Sequence, residues 1–353
     1  MAMKSKYAGP ITVDSEDDDY TICSSSSTSG YVSDTTTFAT TIFDYKYENG
    51  RRYHSYREGA YWAPNDTQQN DQLNLFHQVY TLVLQGELYD APLTKDVKSI
   101  LDVGTGTGIW AIEMSNKFPC ARIVGNDLSP TQPSWVPSNV EFEVDDITQD
   151  WTHPPCSFDF IHARALAGSI PCWPTFLSRA CRTLSPGGWF ESVETTLEQL
   201  SDDNSVPPES AVAEWYRLLS ESGETVGKTF DTTNISTWME EQGFVNVSQR
   251  VFKIPTAPWP VLPALKEIGK QNLANLLEGM EGFSLALFTR VLEWDTADVD
   301  ALLARVRSEF LDRKVHSYYR MFVVIGQKPE DAAASEKTAG NPVKFTNEAG
   351  PSS

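Results

Sequence analysis

The apolar positions between residues 99 and 195 fall in short blocks separated by polar turns. "SILDV" (99–103) is an apolar run of strand length, and from Gly108 to Lys117 the apolar residues recur at helical intervals. "ARIVGND" (121–127) reads as a second strand. "VEFEVDD" (140–146), which alternates apolar and acidic residues, reads as a third, and "FDFIHA" (158–163) as a fourth. "WPTFLSRACRTL" (173–184) predicts a helix stopped by Pro186 and the pair Gly187-Gly188, with a fifth strand in "WFESVET" (189–195). Strands alternating with helices at this spacing predict a doubly wound, parallel α/β sheet. Beyond Thr195 the rhythm changes. Helices are expected over 209–222 and 232–242, a strand over 245–254, a helix-dominated insertion over 255–315 and a final strand over 318–328.

The flanks read differently. Residues 1–44 contain "DSEDDDY" and then "TICSSSSTSGYVSDTTT", too polar to offset their chain entropy by burial, and are expected to be a disordered tail. The same holds for 329–353, which leaves 45–328 as the folded domain. The whole chain of 353 residues carries a formal charge of −20, against any broad basic surface for nucleic acid. Its five cysteines form no C-x-x-C pair and suggest neither a disulfide framework nor a metal site. No signal peptide and no apolar run of membrane-spanning length is apparent, so the expected setting is intracellular, cytoplasmic rather than nuclear.

The chemistry begins at "ILDVGTGTGIWAI" (100–112). Asp102, Gly104, Gly106 and Gly108 spell D-x-G-x-G-x-G, which lacks the spacing of the dinucleotide fingerprint and the lysine of a P-loop. An acid leading the loop would repel a pyrophosphate and suits a ligand bearing an amine or other cation. Asp127 ends the second strand, with Leu128 beside it, where a carboxylate can accept from both hydroxyls of a ribose. Asp146 ends the third strand, where it can accept from an adenine amino group while Ile147 packs on the ring. Taken singly, each acid could be a helix cap. Together they mark the carboxyl ends of three consecutive strands, where open α/β sheets bind ligands.

"LDVGTGTG", "VGNDLSP", "EFEVDD", "FDFIHAR" and "LSPGGWFE" resemble successive motifs of the class I S-adenosylmethionine-dependent methyltransferases. "ENGRRYHSYREGAYWAPND" (48–66), "QLNLFHQVY" (72–80), "SPTQPSW" (129–135) and "GSIPCWP" (168–174) narrow the resemblance to the fungal LaeA-like members. It covers about residues 45–328. It implies a Rossmann-like sheet of order 3-2-1-4-5-7-6 with the last strand antiparallel, a helical N-terminal lid and a cap insertion. It also implies S-adenosylmethionine as cofactor, with Asp102 and the glycines by the methionine part, Asp127 on the ribose and Asp146 by the adenine. Two roles follow: methylation of a small molecule in a fungal secondary-metabolite pathway, or regulation of secondary-metabolite genes with velvet-type partner proteins. Thr105 stands where the regulator has cysteine, and the first 44 residues are unlike its tail.

Methyl transfer from a sulfonium needs chiefly a positioned nucleophile. His162 is the candidate base should the acceptor be a hydroxyl; a cofactor hydrogen bond and plain packing are its other possible roles. Arg164 is a candidate for a substrate carboxylate. Tyr53 and Tyr56, with Tyr61 and Trp62, form an aromatic cluster that serves either as a lid over the site or as an anchor on the sheet. The insertion, through Trp259, Leu262, Leu265, Phe283, Leu287 and Phe288, is expected to cap the acceptor pocket.

Overall fold

Asn49 and Gly50 both take positive φ, 50° and 78°, the conformation a two-residue hairpin turn demands. They join β1 (Lys46–Glu48) to β2 (Arg51–Tyr53) in an antiparallel pair. The computed structural model describes residues 9–14, 45–54, 56–57 and 61–330. The hairpin is bolted to α1 (Thr67–Val83) through Asp66. That carboxylate caps the helix by accepting from the Gln69 N–H at 3.0 Å, and takes both forks of Arg51 at 2.7 and 2.9 Å. The block before the first sheet strand, expected to be a helical lid, is thus one helix preceded by a hairpin and a loop.

The sheet follows the predicted rhythm. Its elements are β3 (Ser99–Val103), α2 (Ile109–Lys117), β4 (Arg122–Asp127), β5 (Val140–Val144), β6 (Phe158–Arg164), α3 (Trp173–Thr183) and β7 (Leu184–Thr195). Then come α4 (Ala211–Thr225), α5 (Ile235–Glu241), β8 (Val245–Pro255), α6 (Pro263–Arg290), α7 (Thr296–Leu311) and β9 (Tyr318–Gln327). Seven strands pair in the order β5-β4-β3-β6-β7-β9-β8, with β9 antiparallel to both neighbours. Counted from β3, this is the 3-2-1-4-5-7-6 order. The central strands are buried on both faces: Ile100, Leu101, Val103, Ile123, Val124, Phe160 and Ile161 are fully enclosed. Each such side chain contributes roughly 1.5–3 kcal/mol of burial, which explains why these strands read as continuous apolar runs.

Two boundaries differ from the sequence reading. β7 starts at Leu184, which pairs with Phe158, and the register shifts before Trp189 pairs with Phe160. Pro186-Gly187-Gly188 is therefore an irregularity inside the strand, with the Gly187 N–H donating to the Lys328 carbonyl at 2.9 Å. The tail expected over 1–44 lies mostly outside the described residues, but residues 9–14 are docked. The Asp14 N–H donates to the Trp259 carbonyl at 2.8 Å, the Val261 N–H to the Thr12 carbonyl at 2.9 Å, and Lys266 pairs with Asp14 at 2.7 Å. The corner between β8 and α6 leaves backbone groups free, and this short segment satisfies them. The tail expected over 329–353 lies outside the described residues except for Pro329 and Glu330.

The insertion is α6 and α7. α6 lies along α1, and a file of buried amides crosses between them. Gln69 donates to Gln72 at 2.7 Å, Gln72 to Asn275 at 2.7 Å, Asn275 to Asn272 at 3.2 Å, and Asn272 to the Pro255 carbonyl at 2.8 Å. That last carbonyl can only accept, so it fixes the direction of the whole file. Among the described residues no helix is long and apolar enough to cross a membrane, and Cys120, Cys156, Cys172 and Cys181 are free thiols.

Candidate functional site

The glycine loop bends because its three glycines take φ of 69°, 57° and 77°, where a side chain is strained. Two of them do different work. A Cβ on Gly104 would come within 2.6 Å of Leu166 Cδ2 on the far wall of the site. A Cβ on Gly108 would strike the Phe142 ring at 2.3 Å. Gly108, the N-cap of α2, lines none of the three cavities below. Its expected place beside the cofactor is corrected: packing of α2 against β5 requires it.

Asp102 is buried at the end of β3. One carboxylate oxygen accepts from Thr105 Oγ1 at 2.6 Å and the other from His162 Nδ1 at 2.8 Å. His162 lies within β6, 1% exposed, its ring stacked flat on Trp110 at 3.8 Å. Burial pulls its pKa down against the pull of Asp102, so the ring is neutral and its Nδ1–H donates. It lines none of the cavities, and its candidacy as base is corrected. It lies on the same face of β6 as Arg164 but two residues short of the strand end, beneath the cavities, where it orients Asp102.

Asp127 ties the glycine loop to β4: one oxygen accepts from the Gly106 N–H at 2.9 Å, the other from the Ser129 N–H at 2.9 Å. Burial raises its pKa, opposed by these two bonds. Each oxygen keeps a lone pair for a hydroxyl. Asp146 is buried and spends one oxygen on Thr148, accepting from N–H at 3.0 Å and Oγ1 at 2.6 Å. "SPTQPSW" also has a job here, since Gln132 Nε2 donates to the Gly106 carbonyl at 2.6 Å. Asn126, not singled out in the sequence, receives the Gly104 N–H at 3.3 Å.

Three cavities meet here. The first, about 830 Å³, is lined by Gly104, Gly106, Asp127, Leu128, Asp146 and Ile147. It brings together the acids and apolar residues expected around a nucleoside. The second, about 430 Å³, is lined by Asp102, Thr105, Thr107, His77, Tyr80 and Arg164. The third, about 840 Å³, has aromatic walls, among them Tyr61, Trp62, Phe76, Trp215, Phe230 and Phe283. Leu73 and Ala165 line all three and form the junction.

The remaining expectations sort accordingly. Tyr61 and Trp62 are at the cavities, but Tyr53 and Tyr56 line none of them. Tyr53 is buried beneath the Arg290 guanidinium, 4.5 Å from its ring centre, and Tyr56 lies beside Arg57. Neither stands at the cavities as a lid over the acceptor would; both are parts of the N-terminal block. Arg164 lines the first and second cavities and not the aromatic one, which moves it from the acceptor to the cofactor side. Of the six insertion residues, only Phe283 reaches the aromatic cavity; α6 adds Asn275 and Leu276. Trp259, Leu265, Leu287 and Phe288 are core, and Leu262 is exposed. The other walls come from α1, α4, the ends of β7 and β9, and loop residues that include Trp62 and Phe230.

Glu194, near the end of β7, was missed. It is 1% exposed, lines the aromatic cavity, and accepts from the backbone N–H groups of Leu166 at 2.9 Å and Ala167 at 3.0 Å. Burial pushes its pKa up to about 8. Two acids, Glu191 and Glu194, inside the strand "WFESVE" were the available signal.

The residues fit S-adenosylmethionine: paired acceptors at Asp127, an Asp146 oxygen beside Ile147 whose one partner among the described residues is Arg57 Nε at 3.9 Å, a loop with glycine at 104, and Asp102 in the adjoining cavity. A family model described as "Methyltransferase domain" matches residues 75–249. The methyltransferase pytC of Aspergillus terreus is 43% identical over 298 residues, 83% of this chain and 91% of that protein. The secondary metabolism regulator laeA of Aspergillus flavus is 34% identical over 80% of this chain and 77% of that protein. The probable methyltransferase tdiE of Emericella nidulans is 35% identical over 77% of this chain and 87% of that protein.

Proposed function

The chain belongs to the fungal LaeA-like class I S-adenosylmethionine-dependent methyltransferases, and from that premise we propose that its acceptor is a small, largely apolar molecule of a secondary-metabolite pathway. S-adenosylmethionine is the cofactor, and it supplies an activated methyl group on a sulfonium. The observation that carries the reading is the aromatic cavity, which adjoins both cofactor-side cavities at Leu73 and Ala165. Its walls are mostly aromatic and aliphatic, with a few polar groups among them, which suits a small apolar molecule.

The chain's part in the reaction is positioning. The aromatic walls hold the acceptor away from water, and orientation of this kind is worth on the order of 7–11 kcal/mol. Glu194 fixes the backbone of residues 166–167, and so the height of Ala165 at the junction. Its carboxyl is also the acidic group on the acceptor side able to take a proton from a hydroxyl or amine nucleophile.

The test incubates the protein with methyl-labelled S-adenosylmethionine and, separately, a metabolite extract or the proteins of the same cells. Label in a low-mass compound supports the proposal. Phe283→Ala with Leu276→Ala should then raise the acceptor's KM while the cofactor's Kd stays within threefold. Label in protein alone defeats it and favours the second reading, a regulator acting with velvet-type partners, which the likeness to laeA supports.

A further inference from the structure

Arg164 is the last residue of β6, one position beyond the pairing of Ala163 with Val103, and so level with the start of the glycine loop. Its guanidinium is half-buried and faces the nucleoside cavity and the Asp102 cavity. Among the described residues it forms no ion pair. Its contacts are His77 Nδ1 at 3.1 Å and the face of Tyr80 at 4.8 Å. A guanidinium always donates, so His77 Nδ1 must accept. The proton of that ring then sits on Nε2 and is donated to Glu113 at 3.0 Å. Glu113, His77 and Arg164, from α2, α1 and β6, thus hold the guanidinium in one orientation and use one of its five N–H groups.

A half-buried cation with no anion in contact is ready to accept one, and a planar fork with free N–H groups matches a carboxylate. The same cavity carries Asp102. One wall with a fixed carboxylate and one with a fixed guanidinium is the complement of an α-amino acid zwitterion. We propose that Arg164, oriented by His77 and Glu113, binds the carboxylate of the cofactor's methionyl group. An acceptor carboxylate is the other candidate, but the wall of the aromatic cavity at this point is Ala165, and Arg164 does not reach it.

The proposal rests on the cofactor and is independent of the acceptor's identity. Calorimetry on the full chain should compare S-adenosylmethionine with its decarboxylated form, which keeps the sulfonium and the amine. The wild type should bind the decarboxylated ligand at least tenfold more weakly. Arg164→Met should weaken S-adenosylmethionine at least tenfold and leave the decarboxylated ligand within twofold, so that the preference disappears. Arg164→Lys should keep part of the preference, and His77→Phe should reduce it. Equal affinity of the wild type for both ligands overturns the proposal whether or not the variants fold. So does an Arg164→Met protein that loses both ligands alike, which would make Arg164 a nucleoside or structural residue. A wild type that binds neither ligand would instead remove the cofactor assignment itself.

Discussion

Replacing Asp127 by alanine removes a carboxylate with two jobs, and the structure allows them to be separated. In the free protein the carboxylate satisfies the N–H groups of Gly106 and Ser129. Toward the cofactor it presents two further lone pairs to the ribose hydroxyls. Charge-assisted hydrogen bonds are worth roughly 1.5–3 kcal/mol each, and water recovers part of that in the mutant. A net loss of about 3 kcal/mol is expected, on the order of a hundredfold in affinity. Two N–H groups left without their acceptor cost roughly 1–3 kcal/mol apiece where they stay dry, so the melting temperature should fall by several degrees as well. The two effects separate through the ligand. Calorimetry with S-adenosylhomocysteine and its 2′-deoxy analogue should show a marked penalty for the missing hydroxyl in the wild type and almost none in Asp127→Ala. If the mutant binds S-adenosylhomocysteine within threefold of the wild type, or keeps the deoxy penalty, then the carboxylate serves only to brace the loop.

Gly108→Ala combines a left-handed backbone with a Cβ driven into the Phe142 ring. It should destabilise the protein by roughly 2–5 kcal/mol in urea unfolding, and Phe142→Leu should restore part of that loss. His77 is pulled by burial, and then by Arg164, from 6.5 to about 4. Its folded value lies below its unfolded one, so its contribution is complete above 6.5 and is lost as pH falls toward 4. Wild-type stability should therefore drop more steeply between pH 6.5 and 4.5 than that of His77→Gln, and parallel curves would refute the shift. Deleting residues 1–8 should be neutral, whereas deletion through Asp14 should lower the melting temperature without altering S-adenosylhomocysteine affinity.

The nucleoside half of the site was legible because sheet topology alone places it. In a doubly wound sheet, consecutive strands end side by side, so acids at the ends of β3, β4 and β5 must converge, and Asp102, Asp127 and Asp146 do. Gly108 shows the limit of a motif. The spacing D-x-G-x-G-x-G treats its glycines alike, but only coordinates reveal that one faces a ligand region and another a phenylalanine ring. His162 shows the limit of position. A strand end looks like an active-site address, but His162 shares a face with Arg164 and sits two residues deeper, so that its ring stacks on Trp110 while Arg164 reaches the cavities.

The acceptor half was hidden for a different reason. Its walls are drawn from α1, α4, α6 and the ends of β7 and β9, segments far apart in the chain that share no strand-end rule to bring them together. Phe283 and Phe288 are both apolar residues on α6, yet one lines the aromatic cavity and the other is core. The difference depends on how α6 is rolled against α1, and that roll is set by the buried amide file from Gln69 to Pro255. These amides read in the sequence as ordinary polar residues of two amphipathic helices. Unpaired and buried, each would cost roughly 1–3 kcal/mol, so only helix placements that keep the whole file intact are stable. The polar file thus fixes the shape of an apolar cavity. Gln72 and Asn275 also line that cavity, so acceptor specificity in this chain should respond to them as strongly as to its aromatic walls.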